Sequence, residues 1–336
     1  MINKFTKAIN FTLNKPEKPT IQTIGVMHEN NRKAIDWNYG IIAFGAKSNI
    51  VLMESTTSTI INVLSHHLDD VTAIKFQTNF PQETPYTTRQ VRMLSGDNSG
   101  NIFLWNYLQS TPVLSFTSVS NSAVKSLQWH HAISNIFIAL FEDGSLVFFD
   151  ATTGQAIKYL RNSTLQNAVC FEQNPFDPDE LCVCTQEEVY LISVKQKTIM
   201  QAYQCSSNMK LTENNYIQQI HYSTIPQRLF ILTSGELVVI DTVLSQAIGC
   251  VFLSPPPIAF TFNEDETKLN VITKNNVISQ YSINPTNLSF DLPLSVNVSR
   301  ELPRELPPIL HVIKDPLSDD ICVQLENGSM GAIVIL

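Results

Sequence analysis

The chain has 336 residues, of which 43% are hydrophobic, 15% charged and 9% aromatic, a composition that packs into a core and excludes a disordered polymer. Its net charge of −8, with Lys and Arg scattered along the chain, lacks the basic stripe of a nucleic-acid binder. The six cysteines fall mostly in apolar runs, the N-terminus leads into no apolar signal region, and no uninterrupted apolar stretch reaches a membrane span, so the expectation is a cytoplasmic protein without a membrane-spanning segment.

In chain order, the first strand pattern is Thr20-Ile21-Gln22-Thr23-Ile24-Gly25-Val26. A recurring element then opens on a turn residue and closes on a bulky one: residues 49–53, 101–105, 145–149, 188–192, 236–240, 277–281 and 329–333. The closing residues are Met53, Trp105, Phe149, Ile192, Ile240, Tyr281 and Ile333, separated by 52, 44, 43, 48, 41 and 52 residues. A period of roughly 40–45 residues with insertions is that of four-stranded propeller blades.

Two physical checks support the repeat. The residue five before each closing position should tolerate a left-handed backbone at a hairpin corner, and it is Ser48, Gly100, Gly144, Glu187, Gly235, Asn276 and Gly328, Gly or Asn at five places in a chain with 11 glycines. The residue three before should be apolar if the strand is packed on both faces, and it is Ile50, Ile102, Leu146, Val189, Leu237, Ile278 and Met330. Further upstream lie apolar segments such as 71–76 and 123–129, read as inner strands.

The expected fold is therefore all-β: a seven-bladed WD40-type β-propeller occupying 1–336 as one domain. Its blades are placed at approximately 33–61, 67–116, 123–160, 165–203, 216–253, 257–295 and 309–336. The last blade runs out after its third strand, so segment 20–26 is expected to supply the fourth and close the ring by pairing N- and C-terminal strands. Three irregular stretches, Asn79 to Gln90, Cys205 to Asn215 and Asn284 to Pro308, are either binding elements or tolerated insertions. Within and beside them Pro81, Tyr86, Arg89, Arg300 and Arg304 are the candidate interaction residues.

Chemistry is sparse. His66-His67 and His130-His131 lack a Cys, Asp or Glu at a metal-ligand spacing, and Cys182-Val183-Cys184 puts two thiols on one strand face without further ligands in the sequence. No Gly-rich phosphate loop, H-E-x-x-H or G-x-S-x-G occurs. The acids Asp69-Asp70, Asp319-Asp320 and Glu264-Asp265-Glu266 fall in polar turns, where a carboxylate has neither burial nor a partner to shift its pKa. No cofactor, metal or catalytic residue is expected, and the chain is not read as an enzyme.

Lys33-Ala34-Ile35-Asp36-Trp37, Gly40-Ile41-Ile42-Ala43-Phe44-Gly45, Thr84-Pro85-Tyr86 and Leu94-Ser95-Gly96-Asp97 with Trp105 resemble the opening of the WD-repeat protein eleven family. Asn174-Pro175-Phe176-Asp177-Pro178 with Thr185-Gln186-Glu187 is similar to that family's fourth repeat, and the likeness continues loosely through 232–241. The resemblance implies a protein-interaction scaffold, in a complex that captures endosome-derived vesicles at the trans-Golgi network, peripheral to Golgi or vesicle membranes and with ties to cilia. The alternative is a structural propeller subunit of a ciliary or cytoskeletal assembly. Either way the implied partners are other proteins. WD repeats of this kind carry a buried His, Ser, Asp and Trp set, which the second blade alone retains as His67, Ser95, Asp97 and Trp105.

Overall fold

A computed structural model describes residues 6–12, 15–24, 31–57, 59–80, 92–117, 121–204, 216–273, 275–284, 294–297, 307–316, 320–327 and 330–333. They form antiparallel sheets whose strands are hydrogen-bonded in sequence order. Six sheets have four strands and span 35–65, 71–116, 124–161, 170–204, 217–252 and 257–297. A seventh, 309–333, has three strands. The chain divides into two compact units, one of residues 27–202 and the other of 1–26 with 203–336.

Burial explains the strand compositions. In the third sheet the second strand, Ile136–Phe141, is apolar at every position and buried at all but its first, because it is covered on both faces. The fourth strand, Ala156–Arg161, buries only Leu160 and carries Lys158 and Arg161, which discourage pairing at an open edge. The seven positions three before the repeat's closing residue, Ile50, Ile102, Leu146, Val189, Leu237, Ile278 and Met330, are each 0% exposed. Each such side chain contributes about 1.5–3 kcal/mol relative to staying in water. Between the second and third sheets Phe116 meets Phe137 edge-on at 4.9 Å, and Phe137 stacks on Phe149 at 5.2 Å.

The hairpin corners divide into two kinds. Gly100, Gly144 and Asn276 adopt φ of 86°, 80° and 57°, as the turn expectation requires. At Gly144 the need is steric as well, since a Cβ there would lie 2.6 Å from the carbonyl carbon of Leu165. The fourth and fifth sheets turn differently. Thr185 Oγ1 accepts from the backbone N–H of Glu187 (3.3 Å) and Glu188 (3.1 Å), and Thr233 Oγ1 from Gly235 (3.3 Å) and Glu236 (3.1 Å). A threonine hydroxyl thus holds the corner locally, and Gly235 is not needed in a left-handed conformation. In the first sheet Lys47 takes φ 57°, with its N–H on Asn31 Oδ1 (2.6 Å) and its carbonyl on Asn31 Nδ2 (2.8 Å). Gly328 lies outside the described residues.

The seven-bladed closed ring is corrected: the complete four-stranded blades among the described residues number six. Segment 20–26 does not supply the missing strand of the last sheet. Residues 20–24 belong to strand Lys15–Ile24, which pairs with Thr6–Thr12 in a separate hairpin, Thr20 opposite Asn10 and Ile24 opposite Thr6. Thr6–Thr12 is the strand that lies beside Met330–Ile333. The hairpin register reaches Thr12 opposite Lys15, a local pairing that closes only a short loop and so loses little entropy. The stretch from Asn284 to Pro308, read as an irregular connection, contains a strand, Leu294–Asn297, the outer strand of the sixth sheet. Its four residues alternate apolar and polar, the shortest run in which that pattern marks a strand.

Candidate functional site

The second sheet gathers His67, Ser95, Asp97 and Trp105. Ser95 and Asp97 stand on strand Arg92–Asp97, Trp105 lies opposite Met93 on the next strand, and His67 comes from the approach to the inner strand. Trp105 Nε1 donates to Ser95 Oγ at 2.7 Å. That leaves the serine's own proton for His67 Nε2 at 2.6 Å, while His67 Nδ1 donates to Asp97 Oδ2 at 2.8 Å. Asp97 Oδ1 also accepts from the N–H of Ser99 (3.0 Å) and Asn101 (2.8 Å), closing the hairpin above the carboxylate. Burial pushes the Asp97 acid upward, but the hydrogen bonds from His67 and Asn101 outweigh it and hold the carboxyl below its ordinary value.

The order Ser hydroxyl, His ring, Asp carboxylate is that of a nucleophilic triad. Access separates the two uses of it. Ser95, Asp97 and Trp105 are 0% exposed and His67 5%, and Ser95 Oγ is already engaged by the indole, so the hydroxyl faces protein on every side.

The candidate loop residues Pro81, Tyr86, Arg89, Arg300 and Arg304 lie outside the described residues. The stems of the 81–91 segment do not. Gln77 N–H bonds Arg92 O across the stem (3.0 Å), Gln77 Nε2 donates to Ser134 O (2.6 Å), and Asn79 Nδ2 donates to His130 O. The stem before the segment is thereby tied to the corner 130–135 of the third sheet, and from the stem after it Arg92 Nη1 donates to Asn135 Oδ1 (3.4 Å). Tyr39 Oη donates to Gln77 O (3.2 Å) on one side, and His131 N–H donates to Gln173 Oε1 (2.8 Å) on the other. The corners of four successive sheets in this unit are therefore linked, the first two through the Tyr39 phenol and the others through amide side chains. His130 is buried, and its Nδ1 accepts from the N–H of Ala132 (3.1 Å) and Ile133 (3.2 Å). Burial, then the adjacent His131, holds its pKa below the usual imidazole value.

Polar residues on inner strands do the same work between neighbouring sheets. Asp36 accepts from Lys75 Nζ (3.0 Å) and Phe76 N–H (2.7 Å), Gln128 Oε1 from Gln173 N–H (3.1 Å), and Gln219 Oε1 from Phe260 N–H (3.1 Å). The sequence offers little signal for these stitches, because each strand carries other polar residues beside the one that bonds across.

Glu266 departs from its expectation as a solvated turn acid. It is 4% exposed, at φ 54°, and takes hydrogen bonds from Ser223 Oγ and from Thr224 N–H (2.8 Å), with His221 Nε2 at 3.4 Å. Burial raises this acid, and His221, Ser223 and Thr224 together bring it below its ordinary value. Its neighbours Glu264 and Asp265 are exposed, as turn acids should be. Among the described residues no group of three or more His, Cys, Asp or Glu side chains is placed to hold a metal ion. Nor is any helix among them long and apolar enough to cross a membrane.

Comparison with known proteins extends the repeat to a family. Residues 25–329 match the family described as WDR11 first beta-propeller. The WD repeat-containing protein 11 of Homo sapiens is 28% identical over 176 residues, 50% of this chain and 14% of that protein, so the aligned part is a small share of the relative's length. The Histone acetyltransferase type B subunit 2 of Candida glabrata is 23% identical over 141 residues, 40% of this chain and 31% of that protein. A chain in the crystal structure of the Mitotic Checkpoint Complex superposes with a TM-score of 0.72 at 10% identity, covering 99% of this chain and 91% of that one. That likeness carries the fold alone: an all-β propeller of the WD40 type. With the match spanning most of its length, this chain belongs to the WDR11 first beta-propeller family.

Proposed function

We propose that this chain is a non-catalytic scaffold that binds other proteins at the cytoplasmic face of Golgi or vesicle membranes and helps capture endosome-derived vesicles at the trans-Golgi network. The observation that carries this reading is the family match across 25–329, together with the resemblance that gives the family its trafficking role. The non-catalytic part is supported by the burial of Ser95, whose hydroxyl is held in triad order with a histidine and an acid. The interaction part draws on the 81–91 segment, whose stems are fixed to the adjoining sheet by Gln77 and Asn79 before it and Arg92 after it. A rigid base lowers the entropy lost when a loop is ordered on a partner.

The test is affinity purification of the full chain from cytosol, followed by mass spectrometry. Enrichment of Golgi vesicle-tethering subunits, reduced several-fold by joint Tyr86→Ala and Arg89→Ala substitution, is the expected result. Enrichment of axonemal or tubulin-associated proteins instead would replace this reading with a ciliary or cytoskeletal one.

A further inference from the structure

The fourth sheet brings together thiols that the sequence separates. Strands Cys170–Gln173 and Glu180–Cys184 run antiparallel, with Cys170 directly opposite Cys184 and Glu172 opposite Cys182. The Sγ atoms of Cys170 and Cys184 are 3.0 Å apart. Unbonded carbon-sized atoms rest at roughly 3.5–4.0 Å, so this separation is that of a thiol pair in direct contact. Directly opposed residues of an antiparallel pair have Cα atoms about 4.5–5.5 Å apart, inside the range a disulfide bridges without backbone movement. Neither residue is in a disulfide in this structure.

Exposure gives the pair a direction. Cys184 and Cys182 are buried, whereas Cys170 is half-buried and is the member that solvent reaches. Contact with Cys170 and burial push the Cys184 thiol well above its ordinary value, and burial does the same to Cys182. Neither is a nucleophile toward an outside reagent, so chemistry enters at Cys170.

We propose that Cys170 and Cys184 form a reversible thiol–disulfide site, oxidised by small-molecule disulfides of the glutathione type. The Cys170 thiolate attacks one sulfur of the small disulfide, forming a mixed disulfide and releasing one thiolate. Cys184 then gives up its proton and attacks the Cys170 sulfur, forming the internal bond and expelling the second small thiolate. Two protein thiols are oxidised, one small disulfide is reduced to two thiols, and the two protons leave on them. Excess small thiol reverses both steps. The bond ties the inner strand of the fourth sheet covalently to its neighbour, leaving the sheet's register unchanged.

The test uses the full chain equilibrated with an excess of oxidised glutathione, then alkylated to block remaining thiols. No Lys or Arg falls between Arg161 and Lys195, so trypsin leaves all three cysteines on one peptide, and cleavage before Asp177 and Asp179 separates Cys170 from the other two. The expected result is a cross-linked pair joining Cys170 to Cys184, reversed by reduced glutathione. It is retained in Cys182→Ala and absent from Cys170→Ser and Cys184→Ser. Three results would overturn the proposal: Cys170 and Cys184 both fully alkylated in the unsubstituted protein, glutathione remaining on Cys170 while Cys184 stays alkylated, or a bond that requires Cys182. Because the first two readouts are made on the unsubstituted chain, a variant that fails to fold does not blunt them.

Discussion

The second sheet and the corner at Glu266 use the same three residue types in different ways. Around Asp97 the histidine, serine and acid all belong to one sheet and its lead-in, and the carboxylate is wrapped by the hairpin that follows it, with donors from His67, Ser99 and Asn101. Around Glu266 the acid stands in a turn of the sixth sheet, while Ser223, Thr224 and His221 belong to the fifth. The first arrangement stiffens a single blade and the second fastens two blades together. They also differ in exposure: His67 has a fully buried side chain, and that of His221 is 33% exposed. Removing charge from a closed, dry network leaves several groups unpaired, whereas water can replace part of an open one.

The largest expected effect is on the closed network. Trp105→Ala removes a fully buried indole and should destabilise the fold by about 3–5 kcal/mol in a denaturant melt; a loss under about 1 kcal/mol would show that the closed network does not rest on its indole. Next, Asp97→Asn should cost about 1.5–3 kcal/mol, the range for hydrogen bonds to a charged group, and Glu266→Gln distinctly less. Equal losses would erase the distinction drawn here between a one-blade and a two-blade network. Both acids have folded pKa values below their unfolded ones, so their contribution is present above the ordinary carboxylate range and is lost as pH falls through the folded values. Asp97→Asn should therefore flatten the acid limb of stability against pH.

The smallest effect concerns His130. Its folded pKa is depressed by burial, so the unfolded chain binds its proton first and stability declines as pH falls below about 6.5. Chemical denaturation at about pH 7.5 and about pH 5.5 should show a decline that is reduced in His130→Asn, whose amide oxygen can accept the same two backbone N–H groups. An unchanged decline would remove His130 from the acid sensitivity of this unit.

Particular residues show how far the sequence could be read. The buried row from Ile50 to Met330 was legible because a strand covered on both faces must be apolar at a fixed offset from its turn. The polar set His67, Ser95, Asp97 and Trp105 was legible only through the resemblance to a WD-repeat family, which implies those four residue types in one blade. Thr185 and Thr233 were passed over because a left-handed Gly or Asn is not the sole way to satisfy a corner; a hydroxyl aimed at the following N–H groups serves as well. Glu266 was misread because its partners lie more than 40 residues away, and a local window sees only its polar neighbours.

What the amino-acid order determined by itself was the repeat: alternating burial and hairpin turns are local properties, decided within each strand and corner. What only the tertiary structure decided was which distant segments meet. Thr20–Ile24 pairs with the N-terminal strand and not with the last sheet, Cys170 touches Cys184, and Glu266 is buried against the fifth sheet. Those outcomes depend on loop closure and on the packing of whole sheets, which no window of sequence contains.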